Sequence, residues 1–226
     1  MTLRHRLRTP DHFGRLLTLL ILDVTLTGLH TTTIVLVVNG LLGLLTVIVA
    51  VTATGLRSRI PSWQVAALIT MALVSLVLGA IEGDRFRGIS ATAGAFALGV
   101  LVVAAMGEVL DMAEVEMQTL LGALCVYLLI GLLFARVFNA LIAFSSDPVF
   151  TVGGEVDTTY FSFTTLTTVG YGDITAVGPL ARRIAVVEGI TGQVFLATAV
   201  ARLVSLYRSP RERTDATPAG TSDETI

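Results

Sequence analysis

The stretch Thr165–Thr175 reads TLTTVGYGDIT. It sets two glycines, a tyrosine and an aspartate between two strongly apolar segments, where a plain hairpin between helices needs no such pattern. The glycines give the backbone access to positive φ at little cost. Irregular backbone at membrane depth persists only where protein buries it or where it lines a watery path. The surroundings of this loop therefore decide how the whole chain is read.

Of the 226 residues, 54% are hydrophobic and 14% charged; a soluble domain carries roughly 25% charged residues. The composition places the chain in a membrane. Every basic residue is an arginine, and the net charge is −2. Cys125 stands alone in an apolar run, which excludes an intrachain disulfide and reads as a small packing residue. His5, His12 and His30 have no metal-ligand spacing, and neither a nucleophile elbow nor a phosphate loop is present. An enzyme is not expected, and neither is a nucleic-acid partner.

A helix of about 20 apolar residues crosses a bilayer core. Leu16 to Leu56 is long enough for two spans, with the turn near His30 or, alternatively, at Asn39-Gly40. Trp63–Ile81, Ile89–Leu110, Met117–Phe144 and Leu180–Leu206 read as the third to sixth. Arginines precede the first span and follow the second and the sixth, so an even number of spans puts these groups and both termini on the cytoplasmic side. Arg85 and Arg87 then face outward, against the positive-inside rule, accompanied by Glu82 and Asp84. The basic start resembles a secretory signal, but without a small-residue cleavage site it is expected to be a retained helix. The tail beyond Ser209 is polar and is expected to be disordered.

Between the fifth and sixth spans, Asp157–Leu166 reads as a short amphipathic helix with Asp157 as N-cap. It leads into Thr167-Thr168-Val169-Gly170-Tyr171-Gly172-Asp173. This run resembles the selectivity filter of potassium channels, and the order helix, half-helix, filter, helix resembles their pore module over roughly Met117 to Leu206. The resemblance implies an all-α membrane protein with a reentrant pore helix and filter loop. Its parts are a cytoplasmic N-terminus over 1–14, a four-helix domain over 15–110, an acidic linker over 111–116, a pore domain over 117–208 and a cytoplasmic tail over 209–226. K+ would be the permeant ion, held by the carbonyls of Thr168, Val169, Gly170 and Tyr171 and by the Thr168 hydroxyl, with no cofactor. Consecutive carbonyls point one way only if backbone handedness alternates, which Gly170 and Gly172 permit. Thr167, Asp173, Tyr160 and Phe161 are the expected filter supports. One filter copy supplies a quarter of a coordination ring, so a homotetramer in contact with membrane lipid is expected, in a prokaryotic plasma membrane.

A voltage sensor needs several arginines on its fourth helix, since each charge moved across 100 mV contributes only about 2.3 kcal/mol. Ile89–Leu110 has none, so steep voltage gating is not expected. The twenty residues after Leu206 are too few to fold as a sensing domain. The resemblance places a hinge glycine at Gly192; Gly189 competes, and either could instead permit close helix packing. Arg136 and Glu188 lie at similar depths on the fifth and sixth spans, about 10 and 14 Å from the outer ends by helix rise, which predicts a bridge. Alternatives are a protonated Glu188 behind the filter or a snorkelling Arg136. A non-conducting scaffold that keeps the pore fold is the competing reading. An ion-coupled transporter would require duplicated halves, which are not visible.

Overall fold

The computed structural model describes residues 12–27, 33–53, 62–79, 83–111, 117–153 and 156–208. Seven helices are present among them: α1 His12–Thr27, α2 Thr33–Ala53, α3 Ser62–Gly79, α4 Asp84–Asp111, α5 Met117–Phe144, α6 Thr158–Leu166 and α7 Pro179–Arg208. The expected turn near His30, the segments 1–11 and 209–226, and 112–116 of the expected linker lie outside the described residues. The alternative turn at Asn39-Gly40 is overturned, because α2 runs unbroken through both residues. Leucine, valine and isoleucine fill that stretch, and one glycine costs a helix only about 1 kcal/mol.

α4 begins at Asp84, earlier than the expected Ile89, and so carries Arg85 and Arg87 on its first turn. α7 begins at Pro179, where the missing N–H of proline falls on a position that has no intrahelical partner. Among the described residues, three helices are long and apolar enough to cross a membrane: Arg85–Leu110, Gln118–Phe144 and Pro179–Arg202.

α1, α2, α3 and α4 pack in sequential order, and both α1 and α4 close onto α5. The main core runs through this arrangement, from Phe13, Leu16 and Leu20 to Leu101, Val126 and Leu129, and reaches Leu166 and Phe195 of the second half. Cys125 is fully buried there, with its thiol directed at the Phe13 carbonyl. A second cluster joins Phe138, Phe150 and Phe161 around the loop that precedes α6. α6 lies against both α5 and α7. At the other end of the molecule, Arg202 Nη2 of α7 donates to the Leu110 carbonyl in the last turn of α4 at 2.5 Å. That bond ties the C-terminal part of α7 to the four-helix unit and satisfies a carbonyl that the helix end leaves open.

Candidate functional site

The site is built on α6 and the loop that leaves it. Asp157 caps α6, its Oδ1 accepting from the Tyr160 N–H at 2.9 Å. At the opposite end the Thr167 N–H and hydroxyl both donate to the Phe163 carbonyl, at 3.0 and 2.6 Å. The chain then turns out of the helix through Thr168 N–H to Thr165 O at 3.0 Å and Gly170 N–H to Thr164 O at 3.1 Å.

Backbone handedness alternates along the loop. Thr168, Gly170 and Gly172 have φ of 60, 49 and 80°, whereas Val169 and Tyr171 between them stay at negative φ. The expected glycines are at positive φ; Thr168, which bears a side chain, was not foreseen there. Left-handed backbone costs a substituted residue roughly 1–2 kcal/mol, and the two turn hydrogen bonds flanking Thr168 hold it in place.

Tyr160 braces the loop. Its hydroxyl donates to Asp173 Oδ2 at 2.8 Å, and its ring stacks on Tyr171 with centroids 6.3 Å apart and planes 3° from parallel. Asp173 Oδ1 accepts from the Ile174 N–H at 3.0 Å. The Tyr160 hydrogen bond holds Asp173 below the usual carboxylate range, and the same bond pushes the Tyr160 hydroxyl up to about 12. Phe161 acts less directly than expected: its ring packs edge-on against Phe138 and Phe150, at 5.0 and 4.8 Å, and secures the back of α6. Beyond the loop, Thr151 N–H donates to Thr175 O at 2.9 Å and Val177 N–H to Val149 O at 2.9 Å, which pins the returning chain before α7.

The predicted Arg136–Glu188 bridge is not formed. Glu188 is fully buried and meets Ser162 of α6 instead, while Arg136 lines a small internal cavity with Asp23, Thr46 and Ser75. Equal depth along two helices does not fix which way each side chain faces. Ser162 Oγ lies 2.5 Å from Glu188 Oε1 and 2.7 Å from the Gly131 carbonyl. A hydroxyl has one hydrogen, and a carbonyl only accepts. Both bonds form together when Ser162 donates to Gly131 and a protonated Glu188 donates to Ser162. Glu188 Oε2 is buried without a hydrogen-bond partner among the described residues, an arrangement far more costly for an ionised carboxylate.

This chain of bonds joins α5, α6 and α7 behind the loop. Glu188→Gln keeps a donor for Ser162 and is expected to cost less than about 1 kcal/mol, whereas Glu188→Ala opens a cavity and costs about 2–4 kcal/mol. Thermal unfolding of the two variants checks this; equal losses would show that Glu188 acts as an ionised acceptor and not as a donor.

The glycines of α7 differ. A Cβ on Gly192 would collide with the backbone carbonyl of Leu166, and one on Gly189 would meet only Thr165 O at 3.9 Å. Gly192 is where α7 approaches the end of α6. α7 continues through both glycines as unbroken helix. Two side chains near the loop carried no signal in the sequence: Tyr127, whose hydroxyl donates to Leu166 O at 3.2 Å, and Gln193, whose amide reaches Thr168 Oγ1 at 3.5 Å. Both are ordinary helix residues in one dimension, and only packing brings them to the base of the loop.

Most of α5, all of α6, the loop and α7 form one continuous unit around TVGYGD. Residues 123–209 match the family model described as ion channel. No curated protein and no solved structure matches the chain. The matched segment thus begins within α5 and contains the whole candidate site, while α1 to α4 lie outside it. That match supports passive ion conduction, and the apolar helices support a multi-pass membrane protein.

Proposed function

We propose that the ion-channel domain is a potassium-selective pore assembled from four copies of this chain, conducting K+ down its gradient without steep voltage gating. The observation that carries the reading is the alternation of positive φ at Thr168, Gly170 and Gly172 within the TVGYGD run. Alternating handedness is what successive carbonyls need in order to face one axis. Rings of such oxygens can replace the water that a desolvating K+ sheds. In this reading Thr168, Val169, Gly170 and Tyr171 supply carbonyls, and Thr168 adds its hydroxyl. The C-terminal end of α6, ending at Leu166 beside the loop, adds the negative pole of a helix dipole near the ion.

A single chain leaves this pore open on one side. Only 11% of the spanning window of α7 is buried, and Val186, Ile190 and Val194 form an exposed apolar stripe at i, i+4 spacing. Val169 and Tyr171 are likewise 52% and 72% exposed. Identical neighbours around a fourfold axis would cover these surfaces and complete each ring. The positive-inside pattern favours cytoplasmic termini in a prokaryotic plasma membrane with six spans.

The test is cation flux through purified protein in liposomes, together with light scattering of the detergent complex. Potassium flux should exceed sodium flux by at least about tenfold, a discrimination of about 1.4 kcal/mol, and the complex should weigh four times the 23.9 kDa chain. Equal potassium and sodium fluxes would overturn the selectivity, and a monomer would overturn the pore.

A further inference from the structure

Outside the pore, a groove between α4 and α5 encloses about 740 Å³. Phe96, Gly99 and Val103 of α4 line one side and Leu133 and Val137 of α5 the other. Its volume falls within the roughly 300–1,000 Å³ typical of small-molecule pockets. The lining is almost wholly apolar: the hydroxyl of Thr92, at its upper end, is already bonded to the Gly88 carbonyl at 2.8 Å. Phe96 and Val103 are 60% and 73% exposed along it.

Above the groove the two helices touch. A side chain on Gly88 would strike the ring of Phe144 of α5, so α4 and α5 meet there and part below. The groove follows α4 from Thr92 to Ala104, about 18 Å of helix rise. One leaflet of a bilayer core is about 15 Å thick, so the groove has the length of a single acyl chain. Arg85 lies seven residues before Thr92, two turns up the same face of α4, and is exposed. Here an arginine that violates the positive-inside pattern stands directly over an apolar furrow on the filter side of the molecule.

We infer that this groove is a binding site for an anionic phospholipid of the filter-side leaflet, one acyl chain lying between α4 and α5 and the phosphate meeting Arg85. About 10 Å of helix separates Thr92 from Arg85 by rise, room for the glycerol and ester region between chain and phosphate. The charge complementarity distinguishes this occupant from α7 of a second copy, whose exposed stripe of Val186, Ile190 and Val194 is apolar and whose one acid, Glu188, is buried. The site is independent of which ion the pore passes.

Native mass spectrometry of the full-length protein, titrated with phosphatidylglycerol and separately with phosphatidylcholine, tests the site. Phosphatidylglycerol should bind at least about fivefold more tightly, and Arg85→Gln should remove that advantage, as expected for one interfacial charge. Gly99→Leu should abolish the bound lipid, since a Cβ there meets only Leu133 at ordinary contact distance, 3.9 Å, and the side chain grows into the furrow. Val103→Trp, at a residue that leaves the core untouched, should do the same without any change at the helix contact. Equal affinity for the two lipids, or wild-type binding by both groove-filling variants, overturns the inference. Dissociation of the oligomer by those variants overturns it as well, because the groove would then seat a second copy.

Discussion

Gly170→Ala is expected to abolish ion flux while leaving the protein folded and its oligomer intact. Gly170 has φ of 49°, in the left-handed region, where a Cβ costs about 1–2 kcal/mol. Nothing lies within 4 Å of the position that Cβ would take, so the packing of α5, α6 and α7 is not disturbed within the chain. The loop can escape the penalty only by rotating Gly170 to negative φ, which breaks the alternation and swings one carbonyl away from its neighbours. Each of four copies around an axis would carry this penalty of roughly 1–2 kcal/mol, and one rotated loop is enough to interrupt a ring of four carbonyls. Liposome flux should fall to the level of protein-free vesicles, with an unchanged elution volume by size exclusion. Wild-type flux in this variant would show that ions do not pass along these carbonyls.

Thr168 sharpens that expectation. It already holds φ of 60° with a side chain attached, so a substituted residue is tolerated in left-handed backbone where bonds on both sides fix it. Its hydroxyl faces the Gln193 amide. Gly170 has one such bond, to Thr164 O, and no side-chain contact to compensate a Cβ. The two positions differ in support rather than in dihedral angle.

How far the sequence could be read follows from which properties are local. The capping of α6 by Asp157, the positive φ of Gly170 and Gly172 and the order of helices around the loop depend on neighbouring residues, and all were legible. Side-chain direction between distant helices is not local. Gly131 and Arg136 are five residues apart on α5, about 140° around the helix at 3.6 residues per turn. Gly131 faces α6, where Ser162 and Phe163 meet it, and Arg136 faces α4 beside Gly94. Similar depth pairs Arg136 with Glu188 on paper, and this rotation separates them. Glu188 meets the Ser162 hydroxyl of α6 and not a charged partner. The left-handed Thr168 escaped for a related reason: residue type argues against it, and only the turn hydrogen bonds donated to the Thr164 and Thr165 carbonyls make it stable.

Gly192→Ala should damage the pore far more than Gly189→Ala, and the contrast separates two roles for Gly192. A Cβ at Gly192 would overlap the carbonyl and side chain of Leu166, the last residue of α6 and immediate neighbour of Thr167. Backbone cannot yield as a flexible side-chain tip can, so α7 or the end of α6 must move; overpacking of this kind costs about 1–3 kcal/mol per subunit. The displaced end carries the Thr168 and Gly170 turn bonds with it, and any selectivity of the loop should fall along with the melting temperature. At Gly189 the added methyl finds ordinary contact at 3.9 Å, and replacing a helical glycine by alanine stabilises by about 0.5–1 kcal/mol. That variant should melt at or slightly above the wild-type temperature with unchanged flux. A hinge predicts otherwise: alanine at Gly192 would stiffen α7, leave stability equal or higher, and reduce the rate of opening without altering which ion passes. Because α7 is continuous helix through both glycines and Leu166 fills the space against Gly192, loss of stability together with selectivity is the expected result. A stable variant with intact selectivity and lowered flux would assign Gly192 to gating instead.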